Sequence, residues 1–155
     1  MKTIDFQNFL LKSAIAVMAC DGSIDTEEIA EIKSMVANEI YFMGFDYEKP
    51  FETNLNYIKS NGKKAINEYL NELSSLSLND KQELRLIEVL IRTIESDNKV
   101  EDNEIKFLQL VKSKLKVSEE TIISQFPKQM SYLIDFNNYG LSEEFTEEID
   151  FSDKN

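Results

Sequence analysis

The chain of 155 residues carries 29 acidic against 17 basic side chains, and its net charge of −12 argues against binding nucleic acid through its phosphates. It has no His and one Cys, which excludes His-based catalysis, Cys–His pairs and ordinary zinc sites; any metal must be a hard cation on oxygen ligands. Four Gly and two Pro among abundant helix formers favour an all-α protein, no apolar run reaches the roughly 20 residues of a membrane span, and the N-terminus lacks a signal peptide's apolar region, so a cytoplasmic protein without membrane insertion is expected.

The first predicted helix runs from near Asp5 to about Asp21. Phe6, Phe9, Leu10, Ala14 and Val17 mark one face, and Leu11, Ile15, Ala16 and Met18 make its second half apolar almost all round, as in the buried centre of a bundle. Cys20 falls in this stretch and reads as a small buried residue. Gly22 supplies a left-handed stop, and Asp25 with Glu28 resembles a capping box for a second helix. Ile29, Ile32, Val36 and Ile40 should face inward there, up to Met43-Gly44. The aromatic cluster Tyr41, Phe42, Met43, Phe45, Tyr47 and Phe51 around Gly44 is read as core, with a partner groove as the alternative.

Pro50 is expected to break any helix between Asp46 and Asn61, leaving only a short one at Leu55 and Ile58. Ala65, Ile66, Tyr69, Leu70 and Leu73 mark the next helix. Asn79 with Gln82 three residues on forms a capping box for a helix carrying Leu84, Ile87, Leu90, Ile91 and Ile94. Arg92 and Glu88 interrupt its apolar run and are placed on its solvent edge. Ile105, Leu108, Val111 and Leu115 mark a further helix, and Ser118 caps a last one ending at Pro127. Residues 1–127 are thus read as one helical domain with halves at about 5–44 and 79–117. Residues 128–155 form an acidic tail, either a short helix on Leu141, Phe145 and Ile149 or unstructured. From Asp135 onward that tail holds seven acids and one Lys.

The halves are suggested by an internal repeat at a separation of 76 residues. Ala19-Cys20-Asp21-Gly22-Ser23-Ile24-Asp25-Thr26-Glu27-Glu28-Ile29 is matched by Glu95-Ser96-Asp97-Asn98-Lys99-Val100-Glu101-Asp102-Asn103-Glu104-Ile105. Each follows an apolar helix, bends through an acidic turn and opens an amphipathic helix. Neither is an EF-hand, which needs Gly at position 6 and Glu at position 12 of its loop. Counting from Asp21, those positions hold Thr26 and Ile32; counting from Asp97, position 3 is Lys99 and position 12 is Leu108. Helix stops and caps explain much of the acidity. They do not explain why Asp21/Glu28 and Asp97/Glu104 repeat the same spacing. Packed about a two-fold axis, four such carboxylates would repel unless a cation such as Ca²⁺ or Mg²⁺, or water, lay between them.

The first turn is similar to the Ala-x-Asp-Gly-x-hydrophobic-x-x-x-Glu signature of the tellurite-resistance TerB family, which is related to the N-terminal domain of a membrane-anchored DnaJ-like co-chaperone. Ser96-Asp97-Asn98-Lys99-Val100-Glu101-Asp102-Asn103-Glu104 reinforces the resemblance, which covers roughly Phe6 to Phe126. It implies an all-α bundle of about seven helices in two pseudo-symmetric halves, with the acidic turns close together on one surface. It implies a binding module of stress-response systems rather than an enzyme, working with a protein partner in a membrane-associated complex. Carried over by position, the metal-site candidates are Asp21, Asp25, Glu28, Asp97, Glu101 and Glu104. Asn98 replaces the second turn's Gly, and Lys99 adds a positive charge that would weaken a metal site.

Two other functions fit less of the chain. An acidic immunity or inhibitor protein would block a basic effector by electrostatic steering. A metal-dependent hydrolase could use paired carboxylates, but no nucleophile, phosphate-binding loop or convergent polar set accompanies them.

Overall fold

In a computed structural model, the placement of residues 3–21, 26–96 and 101–133 is described. The described residues form eight α-helices and no strand: α1 (Thr3–Met18), α2 (Thr26–Asn38), α3 (Glu48–Asn61), α4 (Lys63–Ser75), α5 (Asp80–Ile94), α6 (Asp102–Ser113), α7 (Glu119–Gln125) and α8 (Met130–Leu133). The all-α bundle expected from the sequence is therefore present. Its helix for Leu141, Phe145 and Ile149 lies outside the described residues.

α1 is the centre of the bundle, and its surroundings explain its sequence. It packs most extensively on α5, and also on α2, α3, α4 and α6. With neighbours on every side, Phe9, Leu10, Leu11, Ala14, Ile15, Ala16, Val17 and Met18 are all buried, as is Cys20 beyond them. A stripe of one polarity would leave apolar contacts unmade on some neighbour. Ser13 is tolerated inside because its hydroxyl donates to the Phe9 carbonyl at 2.7 Å and meets the buried Tyr69 hydroxyl at 2.5 Å. Phe9 and Tyr69 stack with ring centroids 4.9 Å apart.

The contacts between the halves are those a two-fold relation generates. α1 meets α5, its own counterpart; α2 of the first half meets α5, and α6 of the second meets α1. The match extends to a polar clasp on each half. Gln7 in α1 is buried and donates to the carbonyls of Tyr41 and Met43 at 3.2 and 3.1 Å. Its repeat counterpart, Glu83 in α5, is also buried and accepts from the amides of Lys116 at 3.0 Å and Val117 at 2.9 Å. Each clasp ties the chain leaving its half's second helix back to the start of the first. The pairing is retained while donor and acceptor are exchanged.

Four local expectations change. α1 ends at Met18, and a 3-10 turn at Ala19–Asp21 carries the chain onward. α2 stops at Asn38 and is followed by a second 3-10 turn at Ile40–Phe42, which turns Ile40 outward, 72 % exposed, instead of inward. In the aromatic group, Phe42 and Phe51 are core and Tyr41, Phe45 and Tyr47 pack at its edge, while Met43 is exposed. The largest change is α3, a full helix of 14 residues despite Pro50. Pro50 is the third residue of that helix, where no intrahelical N–H bond is required. Gly62, at φ 49° and ψ −117°, then turns α3 directly into α4.

Two of the caps read from the sequence hold, while the Gly22 stop and Asp25 of the first capping box lie outside the described residues. Asn79 accepts from the Gln82 amide while Gln82 accepts from the Asn79 amide, each at 2.9 Å. Ser118 accepts from the Thr121 amide at 3.1 Å. Past Pro127, a 3-10 turn leads into α8, which packs on α6 and buries Leu133. The buried Gln109 of α6 holds it by donating to the Tyr132 carbonyl.

Candidate functional site

The six sequence-derived candidates fall into two groups. Asp25, Asp97 and the side chain of Asp21 lie outside the described residues, although the Asp21 backbone closes the 3-10 turn after α1. Glu28, Glu101 and Glu104 are placed. Glu28 is the third residue of α2 and Glu104 the third of α6, so the repeat puts one carboxylate in the first turn of each second helix. The partial positive charge of a helix N-terminus favours a carboxylate there.

Both glutamates are almost wholly enclosed, Glu28 at 2 % and Glu104 at 1 % exposure, whereas Glu101 is exposed. Capping accounts for part of this at Glu104, whose Oε1 accepts the Glu101 amide at 3.1 Å. The first half's 3-10 turn packs against α6, the helix that opens with Glu104. The two repeats are thus in contact beside their acidic turns. Among the described residues, no group of three or more Asp, Glu, Cys or His side chains is spaced to hold a metal ion.

A second charged cluster latches the halves together. Arg92 of α5 pairs with Glu31 of α2 at 3.0 Å and with Glu39 just beyond α2 at 2.5 Å. The Arg85 guanidinium lies over the Tyr41 ring, 4.2 Å from its centroid, and pairs with Glu88 at 3.0 Å. Burial, then the neighbouring Glu88 charge, push the Tyr41 hydroxyl up to about 12. Arg92 and Glu88 do sit at the edge of the core, each about one-third exposed, as the sequence suggests. Their partners were not readable. Arg92 bonds across to the other half, to Glu31 and Glu39 at separations of 61 and 53 residues that no local pattern records. At this exposure each pair is worth at most about 1 kcal/mol, so the cluster orients the segments more than it stabilises them.

A helical bundle made from a repeated helix–acidic turn–helix sequence unit defines the class: an all-α protein in which the 3-10 turn after α1 packs against α6, the second helix of the other half. The sequence model of the family described as tellurite resistance protein TerB matches residues 10–125, and the chain belongs to that family. The comparison with curated proteins gives no match, nor does that with solved structures. Among the described residues, no helix is long and apolar enough to cross a membrane.

Proposed function

We propose that this TerB-family chain is a non-catalytic binding module, in which the paired acidic turns hold a divalent cation, Ca²⁺ or Mg²⁺, and present one acidic surface to a protein partner. The observation that carries this reading is the equivalent placement and near-complete burial of Glu28 and Glu104. Each stands in the first turn of its helix, where the helix terminus favours negative charge, so the repeat sets two matched carboxylates in equivalent enclosed positions. Capping serves one helix end at a time and does not require both carboxylates to be enclosed. The oxygen-only donor set suits a hard cation, with Asp21, Asp25, Glu28, Asp97, Glu101 and Glu104 as the group from which ligands are drawn. The metal organises the two turns and takes no part in a reaction.

Isothermal titration with Ca²⁺, Mg²⁺ and Mn²⁺, paired with thermal melts, tests the cation. Saturable heat and a raised Tm are expected for the wild-type chain and should vanish in Asp21→Asn/Asp97→Asn. Silence of both readouts at millimolar metal removes the cation, leaving only the acidic protein-binding surface. That surface is tested by binding of a partner found by crosslinking in cells. Binding should weaken with Glu27→Gln/Glu101→Gln, two exposed positions, and with rising salt.

A further inference from the structure

On the side of α1 turned towards α3 and α4, the core is not closed. A cleft of about 320 Å³ opens there, walled by Ile15 and Ala16 of α1, Ile58 of α3 and Ala65 of α4. Two of these positions are alanines on facing helices, and their short side chains leave the space. Tyr69 also lines the cleft, but its hydroxyl is occupied by Ser13 within the core and offers a ligand only ring surface.

The rim is polar and unevenly charged. Lys12 reaches across from α1 to Glu72 of α4 at 2.6 Å. The Tyr57 hydroxyl of α3 donates to Glu68 of α4. Glu68 and Glu72 are one helical turn apart and share a face. One ammonium against two carboxylates leaves a net negative rim, and Glu68 is bridged only by a neutral phenol. The hydrogen bond to Glu68 raises the Tyr57 hydroxyl above its ordinary range.

We propose that this cleft is a binding site for a small amphipathic organic cation. Its apolar body lies against Ile15, Ala16, Ile58 and Ala65, and its ammonium group sits between Glu68 and Glu72. The volume is at the small end of the ~300–1,000 Å³ range of small-molecule pockets. An anionic ligand would have to take Lys12 from Glu72 while facing Glu68, whereas a cation adds the charge the rim lacks. The chain's net charge of −12 favours the approach of a cation as well. None of the residues lining this site belongs to the acidic turns, and the proposal does not depend on what they bind.

Three probes with the same eight-carbon chain separate the contributions: n-octylammonium, n-octanol and n-octanoate, titrated below micelle formation and followed by amide NMR shifts. Octylammonium is expected to bind at least ten-fold more tightly than octanol, and octanoate more weakly than either, with the shifts centred on Ala16, Tyr57 and Ala65. Glu68→Gln/Glu72→Gln should bring octylammonium to the level of octanol without altering the fold, since both side chains lie on the rim. Ala65→Met should block all three probes; if that variant does not fold, the glutamine pair decides. Octanoate binding as tightly as octylammonium, shifts centred elsewhere, or no octylammonium binding at millimolar concentration would overturn the assignment.

Discussion

Gln7 and Glu83 occupy the same repeat position, and the backbone groups they meet dictate which residue each must be. Gln7 faces two carbonyls and must donate; Glu83 faces two amides and must accept. Exchanging the chemistry at either place sets like against like. Gln7→Glu puts a carboxylate against two carbonyl oxygens, and Glu83→Ala strands two amides whose partner was charged. Each should lower stability by about 2–3 kcal/mol, and Glu83→Gln, which keeps one acceptor, by about 1 kcal/mol. Urea midpoints at constant slope measure these losses; a change below about 0.5 kcal/mol at both sites would show that the clasps are incidental. Tyrosines set an alkaline limit at the same scale. Burial, only partly offset by the Ser13 hydrogen bond, pushes the Tyr69 hydroxyl well above its ordinary value, and Tyr41 is raised to about 12. The unfolded chain releases these protons from about pH 10, while the folded chain retains them. Stability should therefore hold below pH 10 and fall as pH rises towards the folded values. The Tyr69→Phe variant, compared by urea midpoint at pH 8 and pH 11, should lose less over this interval than the wild-type chain.

The helices were legible wherever periodicity and caps agreed. The apolar sides of α1 and α5 and the caps at Asn79 and Ser118 all express local chemistry. Expectation failed where position within an element mattered more than residue type. Pro50 breaks a helix interior but is compatible with a first turn, so α3 forms. Ile40 continues the spacing of Ile32 and Val36, but α2 has ended by Asn38 and the 3-10 turn changes the phase. Glu28 and Glu104 were visible as a matched pair because the repeat displays them. The clasps, the Arg92 latch and the cleft depend on backbone groups and helices brought together from distant segments, which no local pattern records. Gly62 shows how much one residue can carry for an element. Its positive φ with ψ −117° joins α3 to α4 without a loop, in a region that disfavours any Cβ. Gly62→Ala should cost about 1–3 kcal/mol. Gly44→Ala, at φ +78° with nothing within 4 Å of an added Cβ, should cost only about 1 kcal/mol from backbone strain. Equal thermal shifts for the two would contradict this ranking.

For the whole molecule, the repeat raises the question of whether each half folds by itself. A unit that buried its own apolar surface would have a helix with one apolar stripe, but the second half of α1 is apolar nearly all round because α5 covers it from the other half. α5 depends reciprocally on α1 and α2, and the Arg92 pairs to Glu31 and Glu39 cross the same boundary. The two halves therefore share one core and should unfold together. The segment between α4 and α5 is a natural place to divide the chain, since the helices on either side are complete. A fragment of residues 1–75 exposes the α5-facing side of α1, and a fragment of residues 76–133 exposes α5 along most of its length. Neither should show a cooperative thermal transition or near-ultraviolet tyrosine signal when alone. Mixed at equal concentration, they should recover both, because the surface each exposes is the one the other covers. A cooperative transition in the isolated 1–75 fragment would mean that the halves are independent domains rather than parts of a common core.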